Sequence, residues 1–170
     1  ANGTHWLPTI QGDTAVLMLC SPRSETPSIR LEGLSHFFVP FNSTEKDLPC
    51  PTPAECDTDT VVQEVSTAVA MLIMPVSSYS QLQCTGTLIN NPVTTELEPL
   101  MITARHCFEG TVTASEIDVI WDYRTKNCAG EEPADFETVP RSAGQEVLVL
   151  DSVLDGAFLS VDFAPVGESG

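Results

Sequence analysis

Basic residues are the scarcest resource in this sequence: seven Lys and Arg stand against 24 Asp and Glu, for a formal net charge of −17. Phosphate backbones are held by clustered Lys and Arg, so nucleic acid is excluded as a natural partner, and an anionic membrane surface is disfavoured for the same reason. The acidity reads as a well-solvated surface. Aromatic residues are also few, at 6%. Long apolar runs are missing too. The longest, "VSTAVAMLIMPV", falls short of the about 20 residues that span a bilayer and is interrupted by Pro75, so no membrane-crossing helix is expected. There is no internal repeat and no low-complexity tract, and extended helical periodicity is nearly absent.

What the chain does have is 42% apolar residues in 170, enough for one domain with a sizeable core, or a small domain plus an extension. Thirteen prolines, ten glycines and abundant Val, Thr and Ser favour short strands joined by turns. Six cysteines, at positions 20, 50, 56, 84, 107 and 128, are an even number and suit disulfides in an oxidising compartment, secreted, extracellular or periplasmic. The start at Ala1 fits removal of a signal peptide. "NGT" at Asn2 and "NST" at Asn42 match the glycosylation acceptor pattern, which matters only if the source glycosylates. Zinc is the rival use of the cysteines. It is disfavoured because the Cys50 to Cys56 spacing is wide for a chelating pair and His106 abuts Cys107, which makes joint chelation awkward.

Residues 1–48 read as an N-terminal extension with strands in "TAVLMLC" and "SIRLEGLSHFFVPF", and "NSTEKDLPCPTPAECDTDT" as a linker or disulfide-pinned loop. From Val61 on, strand signals recur. The segment "VVQEVSTAVAMLIMPV" has helix-favouring Ala and Met, but its valines, Ile73 and Pro75 tilt it to strand. "QCTGTLIN", "PLMITA", "EIDVIWDY", "QEVLVLDSV" and "GAFLSVDF" follow, each bounded by Gly, Pro, Asn or Asp. Short strands at that spacing predict an all-β barrel or sandwich. Trp121 and Phe158 are expected in its core, and Trp6 as an anchor for the extension.

Chemistry concentrates in "PLMITARHCFEG", where an apolar strand runs into a histidine beside a cysteine. By residue type alone His106 reads as an ordinary turn histidine. Its flanks change that. "CTGTLINN" followed by "PLMITARHC" resembles the histidine-bearing segment of trypsin-like serine endopeptidases of the chymotrypsin fold, most closely the bacterial lysyl endopeptidase branch. The later "IDVIWDY" strand, Cys128, the Cys50/Cys56 pair and "LDGAFLSV" occur in that branch's order, and the resemblance covers roughly residues 50–165. Arg105 departs from the small residue usual beside the histidine.

The resemblance implies a first six-stranded antiparallel barrel of a two-barrel fold at residues 49–170. Within it His106 would be the general base and Asp155 the carboxylate that orients it. A serine hydroxyl is a weak nucleophile until an imidazole takes its proton, and that imidazole needs a carboxylate on its other nitrogen. Asp151 and Asp162 lie nearby as rivals, but the apolar "AFLSV" follows Asp155 at the pattern's offset. His5 and His36 match nothing catalytic. The resemblance further implies Cys84–Cys107 and Cys56–Cys128 disulfides, and parity adds Cys20–Cys50. It implies no cofactor and no metal.

The serine-bearing loop of the family does not appear. Ser169 in "GESG" imitates it but follows Asp155 too closely for a second barrel to intervene. Two functional classes follow. One is the His- and Asp-bearing half of a secreted serine endopeptidase acting on peptides or proteins, which would need a C-terminal barrel or another chain as partner and be inactive alone. The other is a non-catalytic secreted binding or assembly domain on the same barrel. Non-reducing peptide mapping should recover Cys84 linked to Cys107 and Cys56 to Cys128; a free or metal-bound Cys107 would overturn the first pair and much of the reading.

Overall fold

The computed structural model describes residues 6–10, 12–22, 24, 27–36, 53–77, 80–91, 98–108, 113–128 and 138–162. Six strands form a closed antiparallel barrel: β1 (Val69–Ser77), β2 (Ser80–Ile89), β3 (Leu100–Ala104), β4 (Asp118–Trp121), β5 (Arg141–Asp151) and β6 (Gly156–Val161). Their order around the barrel is β1-β2-β3-β6-β5-β4, with β4 closing onto β1. The expected all-β, chymotrypsin-like six-stranded barrel is therefore present.

Period-two burial builds the interior. Leu72 and Met74 of β1, Met101 of β3, Val119 and Trp121 of β4, and Leu159 of β6 meet in one fully buried cluster. Trp121 donates its indole N–H to Ser142 Oγ at 2.6 Å, so its polar edge is satisfied inside the core. Phe158 departs from expectation: it is only half-buried, because its neighbours Ala157 and Leu159 take the inward positions of β6. β1 does not alternate at all, being buried from Ala70 through Pro75. Its outward residues Met71 and Ile73 join Ile120 in a second cluster on the far side of the sheet. A short continuous apolar run is what a strand covered on both faces requires. β5 carries two register shifts against β6, between Gly144 and Glu146 and between Val147 and Val149, and such bulges curl a long strand around a small barrel.

Two other expectations are corrected. The segment from Val61 is not one strand. Its first part is a short helix, α1 (Thr60–Ser66), capped by Asp59, whose carboxylate accepts the Val61 N–H at 2.9 Å. The local cap and the polar Gln63 and Glu64 outweigh the valines there, which stay exposed. Second, among the described residues the extension contains no strand. Val16 and Met18 are almost wholly exposed. β-branched and apolar residues make a strand only where a neighbouring strand takes their backbone bonds, and these residues pair with none. No helix of the described residues is long and apolar enough to cross a membrane.

α1 is held to the barrel by Arg124, just past β4. Its guanidinium lies 3.1 Å from Glu55 and 2.6 Å from Asp122, and donates to Ser66 Oγ at 2.9 Å. The Cys56–Cys128 disulfide closes the same corner.

Gly144 faces a rigid obstacle, since a Cβ there would stand 2.3 Å from the Ala114 carbonyl oxygen. Gly144→Ala is expected to cost about 1–3 kcal/mol as overpacking. Gly156→Ala, where a Cβ meets nothing within 4 Å, should be close to neutral. Denaturant midpoints of the two variants check the contrast.

Candidate active site

His106 sits in a single 3-10 turn, Arg105–Cys107, at the end of β3. Three features hold that turn. Cys107 is bonded to Cys84 of β2, across a sequence separation of 23. A closed loop of that size contributes about 3 kcal/mol in the chain-entropy account. Thr103, buried just before the turn, donates its hydroxyl to the Thr85 carbonyl on β2 at 2.8 Å. The Arg105 N–H donates to the Asp155 carbonyl at 2.9 Å, continuing the β3–β6 ladder one step past the Ala104–Gly156 pair.

Asp155 lies in the turn between β5 and β6 with φ 52°, the left-handed region that Asp tolerates better than most residues. The turn is organised by Asp151, whose Oδ1 accepts the N–H groups of Val153 at 2.7 Å and Leu154 at 3.0 Å. This delivers Asp155 to His106 at two points. Oδ1 accepts the His106 backbone N–H at 2.9 Å, and Oδ2 lies 2.6 Å from the imidazole Nδ1.

The electrostatics follow from these contacts. The Asp155 carboxyl is held below its ordinary range, first by the hydrogen bond from the His106 ring, then by the His106 backbone N–H, and then by the charges of His106 and Arg105. An ionised carboxylate only accepts, so Nδ1 carries the proton, and the ring when uncharged keeps a lone pair at Nε2. The ring is 66% exposed, leaving that nitrogen open to a group arriving from outside. Chemically, the arrangement is an oriented base: one nitrogen is fixed against a carboxylate and the other can take a proton.

The nearby aspartates have separate tasks. Asp151 caps its own turn, and that same pair of N–H groups lowers its carboxyl below the usual range. Asp162 accepts the Ala143 N–H at 2.9 Å, on β5. Neither approaches His106 as Asp155 does. The turn-capping role of Asp151 is the contribution that sequence reading missed; its signal was the spacing of an aspartate two and three residues before the N–H groups it accepts.

The cysteines divide as follows. Cys84–Cys107 and Cys56–Cys128 are disulfides. Cys20 instead carries a free, exposed thiol, while Cys50 lies outside the described residues, so the Cys20–Cys50 bridge is not among the bonds of the structure. Cys20 lies in a segment that has no strand partner among the described residues. His5 and Ser169 also lie outside the described residues. His36 is exposed in the extension and belongs to no part of the pair.

The closed six-stranded antiparallel barrel is that of a chymotrypsin-like protease domain. Residues 43–168 match the model of the lysyl endopeptidase C-terminal domain, and the chain belongs to that family. It is also 27% identical to a lysyl endopeptidase of Pseudomonas aeruginosa over 181 aligned residues, covering 96% of this chain and 38% of that protein. The chain therefore spans well under half the length of this curated relative. No solved structure matches it at a significant level.

Because the Asp155 and Asp151 pKa values are depressed on folding, both carboxylates stabilise the fold above the unfolded aspartate value of about 3.9. That contribution is lost as pH falls from there through their folded values. Urea midpoints of the wild type should drop on acidification in this window, whereas Asp155→Asn combined with Asp151→Asn should start lower at pH 7 and fall less steeply.

Proposed function

We propose that this chain supplies the base-bearing half of a secreted serine endopeptidase, with His106 as general base and Asp155 as its orienting carboxylate. The nucleophile, the oxyanion-hole amides and the specificity pocket would come from a second barrel outside these 170 residues. On this reading residues 49–170 are the first barrel and residues 1–48 an extension to it. The observation that carries the reading is the two-point contact of Asp155 with His106, which holds the ring and leaves Nε2 outward. A merely structural histidine has no need of an open nitrogen backed by an ionised carboxylate.

The surroundings support an incomplete site. Val153 is 90% exposed and Leu154 80%, immediately before Asp155. Val149 and Leu150, late in β5, are half exposed as well. Apolar residues concentrated beside a polar constellation suit a packing surface for another domain. The coverage of only 38% of the Pseudomonas lysyl endopeptidase agrees with a polypeptide that continues. The reaction would then be ordinary acyl transfer. The serine hydroxyl attacks a peptide carbonyl while its proton passes to Nε2, and the imidazolium, steadied by Asp155, returns that proton to the leaving amine. Two disulfides and the family membership support an extracellular setting.

The 170 residues alone should show no peptidase activity and no labelling by a serine-directed phosphonate. Labelling that disappears in Ser169→Ala would place the nucleophile in this chain and refute the division. In the polypeptide that includes the serine-bearing barrel, Asp155→Asn should lower kcat by about 10⁴-fold. His106→Ala should lower it by about 10⁶-fold. Full activity in either variant would leave only a non-catalytic role for the barrel.

A further inference from the structure

Asp118 opens β4 and Arg141 opens β5, at the opposite end of β5 from the turn that carries Asp155. Their side chains form an ion pair and are largely buried, with 11% of the carboxylate side chain and 24% of the guanidinium side chain exposed. Each also holds the main chain of Thr9. The Thr9 N–H donates to Asp118 Oδ2 at 2.9 Å, and Arg141 Nη1 donates to the Thr9 carbonyl at 2.6 Å. One residue of the extension thus has both its peptide donor and its peptide acceptor taken by charged side chains more than a hundred positions away. Charge-assisted bonds of this kind are the stronger class, and the pair's partial burial reduces competition from water.

The register shows what kind of surface this is. Asp118 stands opposite Ile73 on β1, and Arg141 opposite Ile120 on β4. Ile73 and Ile120 are fully buried although they point away from the central core, in the second cluster with Met71. The ion pair therefore edges an apolar outer face that is covered, with Tyr123 and Val139 packed against its cluster and Thr9 held at its edge. Trp6, three residues before Thr9, is half-buried on the same short segment.

We propose that this outer face of β1 and β4, edged by Asp118 and Arg141, is a docking surface for an extended peptide segment read through its main chain. Its occupant is residues 6–10 of this chain, and the dock holds them on the barrel independently of the covalent connection between extension and barrel. The site is separate from the His106–Asp155 pair, and its role does not depend on the proposed peptidase reaction. Because the contacts are to N–H and C=O, the dock needs no hydrogen bond from the side chain at position 9, whose hydroxyl oxygen is buried without a partner, but an N–H there is required.

The test uses the full folded chain in a Cys20→Ser background, so that no bridge from Cys20 can join the pieces. A recognition sequence for a site-specific protease replaces residues 27–32, all exposed. After cleavage, the N-terminal fragment should co-elute with the barrel on size exclusion under native conditions. Thr9→Ala should leave it bound, whereas Thr9→Pro, which removes the N–H without touching the barrel, should weaken retention at least tenfold. Arg141→Met should do the same. If Arg141→Met does not fold, Thr9→Pro decides alone. A wild-type fragment that elutes free, or a Thr9→Pro fragment held as firmly as wild type, overturns the proposal.

Discussion

Everything at the candidate site depends on one strand pairing, the antiparallel ladder between β3 and β6 that sets Ala104 opposite Gly156. This pair joins strands far apart in sequence and closes one seam of the barrel. It also places the residue after β3's end against the residue before β6's start, which is how Arg105 N–H comes to meet the Asp155 carbonyl. His106 is one position further, within reach of the carboxylate. A slip of one residue would invert the faces of β6, drive Ala157, Leu159 and Val161 out of the core, and carry Asp155 away from the imidazole. The hydrophobic demand that specifies the register is therefore the same demand that assembles the His106–Asp155 pair.

Around that seam the chain spends rigid chemistry locally. The Cys84–Cys107 bond, the buried Thr103 hydroxyl and the Asp151 cap each immobilise one side of the pair, while the pair itself stays open to solvent. The opposite end of β5 is organised differently. There Arg141 and Asp118 bind a backbone from the extension, and Arg124 gathers α1 and the Cys56–Cys128 corner. With only seven basic residues in the chain, two of them occupied by partly buried ion pairs is an allocation with structural consequence. Arg124 and Arg141 thus join segments distant in sequence, whereas Arg30 pairs with Glu32, two residues on.

Sequence reading located the strands well from β2 onward, because each carries apolar residues at the right period and is bounded by turn formers. It failed where local and tertiary preferences diverge. α1 was hidden among valines, since a cap at Asp59 is a local device that strand propensity does not register. The extension's "TAVLMLC" has strand composition but no strand, since composition cannot supply a neighbour. Phe158 was expected in the core and lies half-buried, because which of two alternating faces points inward depends on the partner strands.

The amino-acid order alone pointed to an all-β barrel or sandwich, through short apolar strands bounded by turn formers. The six-stranded barrel, the choice of His106 and the two disulfide pairings were expectations carried by the resemblance to lysyl endopeptidases. It narrowed the carboxylate to three aspartates and favoured one. Only the tertiary structure gave those three aspartates separate partners, brought Asp155 within 2.6 Å of Nδ1, and showed Cys20 with a free thiol. It alone joined Thr9 to residues more than a hundred positions away. Such contacts arise from barrel closure, where the burial of a core selects one register among many, and no local stretch of sequence contains the geometry that results.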